Sequence, residues 1–144
     1  MPNSFARALL AAVLAALLAP SAGSAELVVI VSARSTVGAL RADQVADIFL
    51  GQVGQFPDGG EAVALDQRVG TPLRDEFYAK VAAKSPALVK AYWTKLIFTG
   101  RGQPPREAPD SAAIRKLVAD NPAMIGYIER AALDASVKPI LLVH

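Results

Sequence analysis

Two rhythms of apolar and polar positions run along this chain. Leu27 to Val31 is an unbroken run, L-V-V-I-V, followed by the polar stretch Ser32 to Gly38. It reads as a buried strand of a parallel or mixed sheet. From Ala42 to Leu50 the spacing becomes helical, with Val45, Ile48 and Phe49 on one face, and Gly51 ends the helix. Pro57-Asp58-Gly59-Gly60 is a turn signal inside the glycine-rich segment Gly51 to Gly60. Ala62 to Leu65 reads as a second strand, and Gly70 turns the chain. Thr71 is placed to cap a helix with its hydroxyl, and Pro72 takes the first helical position, where its missing N–H costs nothing. Leu73, Phe77 and Val81 share one face of that helix and are assigned to the core, which leaves Arg74 reaching outward.

Ser85-Pro86 repeats the cap-then-proline device. The helix it opens, Pro86 to Phe98, carries Leu88, Tyr92 and Leu96 on one stripe and Val89, Trp93 and Ile97 on the next. So broad an apolar face predicts burial on more than one side. Tyr92 and Trp93 read either as core or as a ligand-stacking pair. Thr99 to Asp110 is a Gly/Pro-dense loop made locally basic by Arg101 and Arg106; it is a solvated connector or a rim that helps hold an anion. Asp110 or Ser111 then caps a helix with Ile114, Leu117 and Val118 inward, and Asn121-Pro122 ends it. Met124 to Ile128 is a third strand, in which Gly126 marks a close approach by a neighbour. Val137 to Val143 is the last, with Pro139 favouring a sheet edge. Strands alternating with helices across long connections predict an α/β fold: a small mixed sheet with helices on both faces.

Composition alters this picture mainly at the amino end. Residues 1–25 have the make-up of a cleaved secretory signal: Arg7, the apolar run Ala8 to Ala19, Pro20, then Gly23-Ser24-Ala25. The apolar run is shorter than the ~20 residues a spanning helix needs. Setting 25 of the 144 residues aside leaves 119, residues 26–144, enough for one domain. Without Arg7, 14 basic and 13 acidic residues remain, too even a balance for a nucleic-acid partner. The absence of cysteine excludes disulfides, thiol catalysis and a lipid-modified amino terminus. An exported chain without a lipid anchor fits a periplasm.

Catalytic signals are absent. The single histidine is the terminal His144, better read as a frayed end than as a base. There is no G-x-S-x-G elbow, no metal-ligand spacing and no dinucleotide fingerprint. The chain is therefore expected to be no enzyme and to need no cofactor. What remains is a strand, a glycine turn and a helix start over Asp66 to Phe77, D-Q-R-V-G-T-P-L-R-D-E-F, which could be a capped helix or an anion cradle.

The order of motifs adds a resemblance. V-V-I-V-S, then L-R-A-D-Q-V-A-D-I-F-L-G, then F-P-D-G, then a strand, G-T-P-L-R-D-E-F, Y-W-T-K-L-I-F-T-G and, after a loop, N-P-A-M-I-G-Y-I follow one another over nearly all of Leu27 to Ile128. Together they are similar to phosphate ABC-transporter substrate-binding proteins of the type 2 periplasmic-binding-protein fold. The resemblance implies an exported receptor that binds a small oxyanion such as phosphate and delivers it to a membrane permease without converting it. It also implies that 119 residues form about one of two lobes, so that a second protein lobe would have to come from elsewhere.

The family pattern at the turn resembles G-S-G-T-R with an arginine close before it. On that pattern Gly70, Thr71 and Arg74 match ligand-binding positions, and Arg68 stands in for the upstream arginine. Pro72 and Leu73 depart from it, removing one backbone N–H and one hydroxyl. Micromolar affinity requires about 8 kcal/mol. A helix N-terminus contributes roughly 0.3–1 kcal/mol, and charge-assisted hydrogen bonds from arginine about 1.5–3 kcal/mol each. After association entropy is charged against these, a lone lobe should bind weakly. The alternative is a periplasmic protein-interaction module that has lost the ligand, with Gly51 to Gly60 and the Arg101/Arg106 loop as contact surfaces.

Overall fold

The computed structural model describes residues 26–144; the predicted secretory segment, residues 1–25, lies outside the described residues. Five strands form one mixed sheet in the order β3-β2-β4-β1-β5. Here β1 is Leu27–Ser32, β2 Val63–Gln67, β3 Arg106–Ala108, β4 Met124–Glu129 and β5 Val137–Val143. β1 runs antiparallel to both β4 and β5, while β2 runs parallel to β3 and β4. Among the described residues the helices are α1 (Ala42–Phe49), α2 (Pro72–Ala82), α3 (Pro86–Phe98) and α4 (Ser111–Asp120), with a 3-10 turn at Arg130–Ala132.

Strand alternation divides the core into two layers. Leu27, Val29 and Val31 join Ile125 and Tyr127 on one face, against α1, α2 and α3. Val28 and Ile30 join Leu65 and Ile128 on the other, under Ile114 and Val118 of α4. Every residue of β1 is buried, as its uninterrupted apolar run predicts. On the first face the Phe77 and Tyr127 rings stack at 3.9 Å, and Phe49 meets Phe77 edge-on at 4.8 Å. These rings seat α1 and α2 on the central strand. Gly126 occurs where α4 comes closest: a Cβ there would lie 2.6 Å from Ile114 Cγ2.

Other local predictions hold. The Ser85 hydroxyl accepts from Leu88 N–H, and the Asp110 carboxylate from Ala113 N–H at 2.8 Å. Gly51, at φ +71°, follows the end of α1. Pro139 sits on the edge strand β5, beside a register shift in β1. Trp93 is core, and the half-buried Tyr92 donates its hydroxyl to the Leu50 carbonyl at 2.6 Å.

Three expectations change. β2 continues to Gln67, so Asp66 and Gln67 belong to the strand and are buried. Part of the predicted loop Thr99 to Asp110 forms β3, because Arg106–Ala108 pairs with Leu65–Gln67, a partner some forty residues away that no local pattern reveals. Finally, α3 is not buried on more than one side. Val89 and Trp93 face inward, but Leu88, Ile97 and Phe98 are 54%, 48% and 91% exposed. Among the described residues no further element lies over that outer face.

Candidate functional site

The turn between β2 and α2 is where the polar groups converge. β2 ends in Asp66 and Gln67, on opposite faces of the sheet. Asp66 points to the α2 side, 1% exposed, and accepts hydrogen bonds from the Tyr78 hydroxyl at 2.5 Å and from the Tyr127 hydroxyl. Gln67 points to the α4 side, where its amide donates to Ser111 Oγ and to the Tyr127 carbonyl. Arg74 and Tyr78 lie one helical turn apart on α2, so both reach Asp66. Arg74 Nη2 stands 3.9 Å from the Asp66 carboxylate, and its Cζ lies 5.4 Å from the Tyr78 ring centroid.

A second carboxylate arrives from the edge strand. Glu107 Oε1 is 3.7 Å from Arg74 Nη1 and accepts from the Val69 N–H at 2.8 Å. Arg74 Nη1 also donates to the Gln67 carbonyl at 3.4 Å. One guanidinium is thus flanked by two carboxylates and a carbonyl. Burial pushes the Asp66 carboxyl above the usual carboxylate range, while hydrogen bonds from Tyr127 and Tyr78 and the charge of Arg74 pull the other way. Burial, followed by the neighbouring Asp66 charge, raises both tyrosines far above the ordinary phenol value, so both remain protonated donors at neutral pH.

Each predicted site residue can now be placed. Gly70 is exposed and adopts φ +89°, the left-handed conformation that the turn requires. Arg68 is exposed, and its carbonyl accepts from Thr71. Thr71 occupies the N-cap position but does not cap: its Oγ1 donates to the Arg68 carbonyl at 2.8 Å, and no side chain caps α2. Arg74 does not reach outward. The buried stripe of α2 is Arg74, Phe77, Tyr78 and Val81, with Leu73 only half-buried beside it. The helix is rotated relative to the apolar reading because Asp66, Glu107 and the Gln67 carbonyl supply the partners a buried guanidinium needs.

Gly70 and Arg74 line one groove, about 530 Å³, whose floor includes Tyr78, Val89 and Trp93 and whose far wall includes Pro104, Pro105 and Glu107. Thr71 and Arg68 are not part of its lining. Asp66, Tyr78, Tyr127 and Glu107 were not among the expected site residues. The available signals were weak: a carboxylate directly after an apolar strand, and a tyrosine four residues after an arginine. Among the described residues there is no cluster of His, Asp and Glu suited to a metal ion. Asp66 and the two phenols are held inside, while Glu107 stays half-exposed. Toward the groove the arrangement presents an arginine edge and a glycine turn beside an uncapped helix start, which suits anion binding.

No family model and no curated protein matches this chain. Solved structures do. A chain described as a phosphate ABC transporter substrate-binding protein from Clostridium perfringens, with bound phosphate, is 24% identical with a TM-score of 0.62, over 80% of this chain and 44% of that one. An ABC-type phosphate transport receptor from Vibrio cholerae is 18% identical with a TM-score of 0.63, over 80% and 45%. PstS from Borrelia burgdorferi is 11% identical with a TM-score of 0.55, over 80% and 46%. The chain thus spans under half the length of the structures it matches. What the likeness establishes is the fold: this five-stranded mixed sheet with its flanking helices is that of just under half of a phosphate-transport substrate-binding protein.

Proposed function

We propose that residues 26–144 form an exported, non-catalytic oxyanion-binding domain of the phosphate-transport type, working in the periplasm with a membrane permease. The observation that carries this reading is Arg74, held at the rim of a groove beside the uncapped start of α2. The first N–H groups of that helix have no intrahelical partner, and the helix dipole favours an anion there. Gly70 and Arg74 are the primary contacts. Thr71 and Arg68 sit on the same turn, and Thr71 would have to release the Arg68 carbonyl to donate to a ligand.

Affinity should be low. Pro72 offers no N–H, and Glu107 already occupies the Val69 N–H and faces Arg74. Isothermal calorimetry and thermal shift with phosphate and sulfate test the proposal. A response at millimolar phosphate, lost in Arg74→Gln, is the expected outcome. No response at millimolar phosphate in either the natural chain or Glu107→Gln would sink it. The Glu107 contacts favour the second reading, an interaction module in which an internal carboxylate has replaced the ligand.

A further inference from the structure

Charge is unevenly distributed along this chain. Between Phe77 and Arg106 lie the cations Lys80, Lys84, Lys90, Lys95, Arg101 and Arg106, and no acidic residue. Lys80 pairs with Glu76, and the Lys84 ammonium lies over the Tyr92 ring at 5.6 Å. Among the described residues, Lys90, Lys95, Arg101 and Arg106 have no carboxylate within ion-pair distance. Opposite charges within the molecule are therefore not what holds this region.

The same segment carries the exposed apolar side of α3. Ala87, Ala91, Thr94 and Phe98 recur at helical spacing along one stripe, with Lys90 and Lys95 beside them. Lys90 and Thr94 also border the groove floored by Val89 and Trp93, so groove and stripe are one continuous surface. Phe98 is 91% exposed at its end. The buried indole N–H of Trp93 has no hydrogen-bond partner among the described residues.

We propose that this face of α3 docks an acidic amphipathic segment of a partner protein. Its apolar side chains would enter the groove over Trp93 and cover Phe98, while its carboxylates would meet Lys90 and Lys95. Within the groove Arg74 and Lys90 are balanced by Asp75 and Glu107. The adjoining stripe carries Lys90 and Lys95 and no carboxylate, so charge complementarity along the stripe selects an acidic partner: opposite charge steers encounter and rejects basic competitors. Shape selects a segment over a bilayer, because a concave groove of about 530 Å³ accepts protruding side chains. A symmetric contact with a second copy is disfavoured, since it would bring Lys90 and Lys95 against their own counterparts. The docked segment shares its groove with Gly70 and Arg74, but the proposal does not require oxyanion binding there.

Trp93 is the only tryptophan in the chain, so its emission reports on the groove floor. The purified full chain would be titrated with a synthetic helix bearing Leu and Phe on one face and Glu on its flanks. A Lys-for-Glu version of the peptide and vesicles of phosphatidylglycerol and phosphatidylcholine serve as the other arms. A saturable change in Trp93 emission with the acidic peptide is expected, weakened by salt. Lys90→Glu with Lys95→Glu should reduce affinity about tenfold or more, and Phe98→Ser should weaken it without altering the emission of the free protein. Photocrosslinking from position 98 in the source cells should then map to an acidic, apolar segment of another protein. Equal binding of the Lys peptide, adducts to lipid, or adducts to another copy of this chain would each overturn the proposal.

Discussion

Replacing Glu107 by glutamine should strengthen phosphate binding. The carboxylate sits where a bound anion would compete with it: Oε1 is 2.8 Å from the Val69 nitrogen and 3.7 Å from Arg74 Nη1. Its side chain is 42% exposed, so an intermediate to high effective dielectric applies. Two unit charges at this separation interact by about 1–2 kcal/mol for an effective dielectric of roughly 40–80. That attraction is what an oxyanion has to compete with at Arg74, and removing it frees the guanidinium by about the same amount. Glutamine keeps the shape and an acceptor for the Val69 N–H but removes the charge. Phosphate affinity should therefore rise about 5- to 30-fold. Calorimetric titration at constant ionic strength and neutral pH would measure this, with thermal melts to confirm that both proteins are folded. A dissociation constant within twofold of the natural chain's, in a folded variant, would refute the reasoning and leave Glu107 a structural partner of Arg74 only.

Other outcomes are equally specific. Gly126→Ala should destabilise by about 1–3 kcal/mol, because its Cβ would meet Ile114 Cγ2 at 2.6 Å and Val118 Cγ2 at 3.3 Å; a thermal melt unchanged from that of the natural chain would show that α4 moves aside freely. Tyr127→Phe takes one hydroxyl donor from the buried Asp66 and should cost about 1.5–3 kcal/mol in denaturant unfolding. Both tyrosines hold their protons in the folded state well above the ordinary value of 10.0, so the unfolded chain loses them first and stability should fall as pH rises above that value; Tyr78→Phe should flatten this decline in melts recorded across alkaline pH. The Asp66 carboxyl, raised above 3.8 by burial, keeps its proton longer in the folded state. Its contribution should be full below that pH and decline as pH rises toward its folded value, and Asp66→Asn should remove that slope from acid-range melts.

Element by element, the reliable signals were local ones. The β-branched run of β1, the prolines that open α2 and α3, and the Ser85 and Asp110 caps all depend on residues within a few positions of one another. Each was legible because backbone sterics and hydrogen bonding act at that range, whereas the expected Thr71 cap did not form. The candidate site was half legible. Gly70 and Arg74 were found as a turn and a cation on a helix start, but Arg74 was placed on the wrong side of α2. Hydrophobic periodicity counts an arginine as outward unless its partners are known.

Those partners come from elsewhere in the chain. Glu107 is brought to Arg74 by three residues of parallel pairing between β2 and β3, and Tyr127 is brought to Asp66 by the central strand. The exposed side of α3 was likewise invisible in one dimension: a broad apolar stripe looks the same whether or not something packs over it. By itself the sequence determined the elements other than β3, the α/β class and the position of the glycine turn before α2, since each follows from short-range geometry. Only the tertiary structure decided that the turn's arginine is buried between two carboxylates and that α3 keeps an apolar, basic face uncovered, because both depend on contacts between segments far apart in the chain.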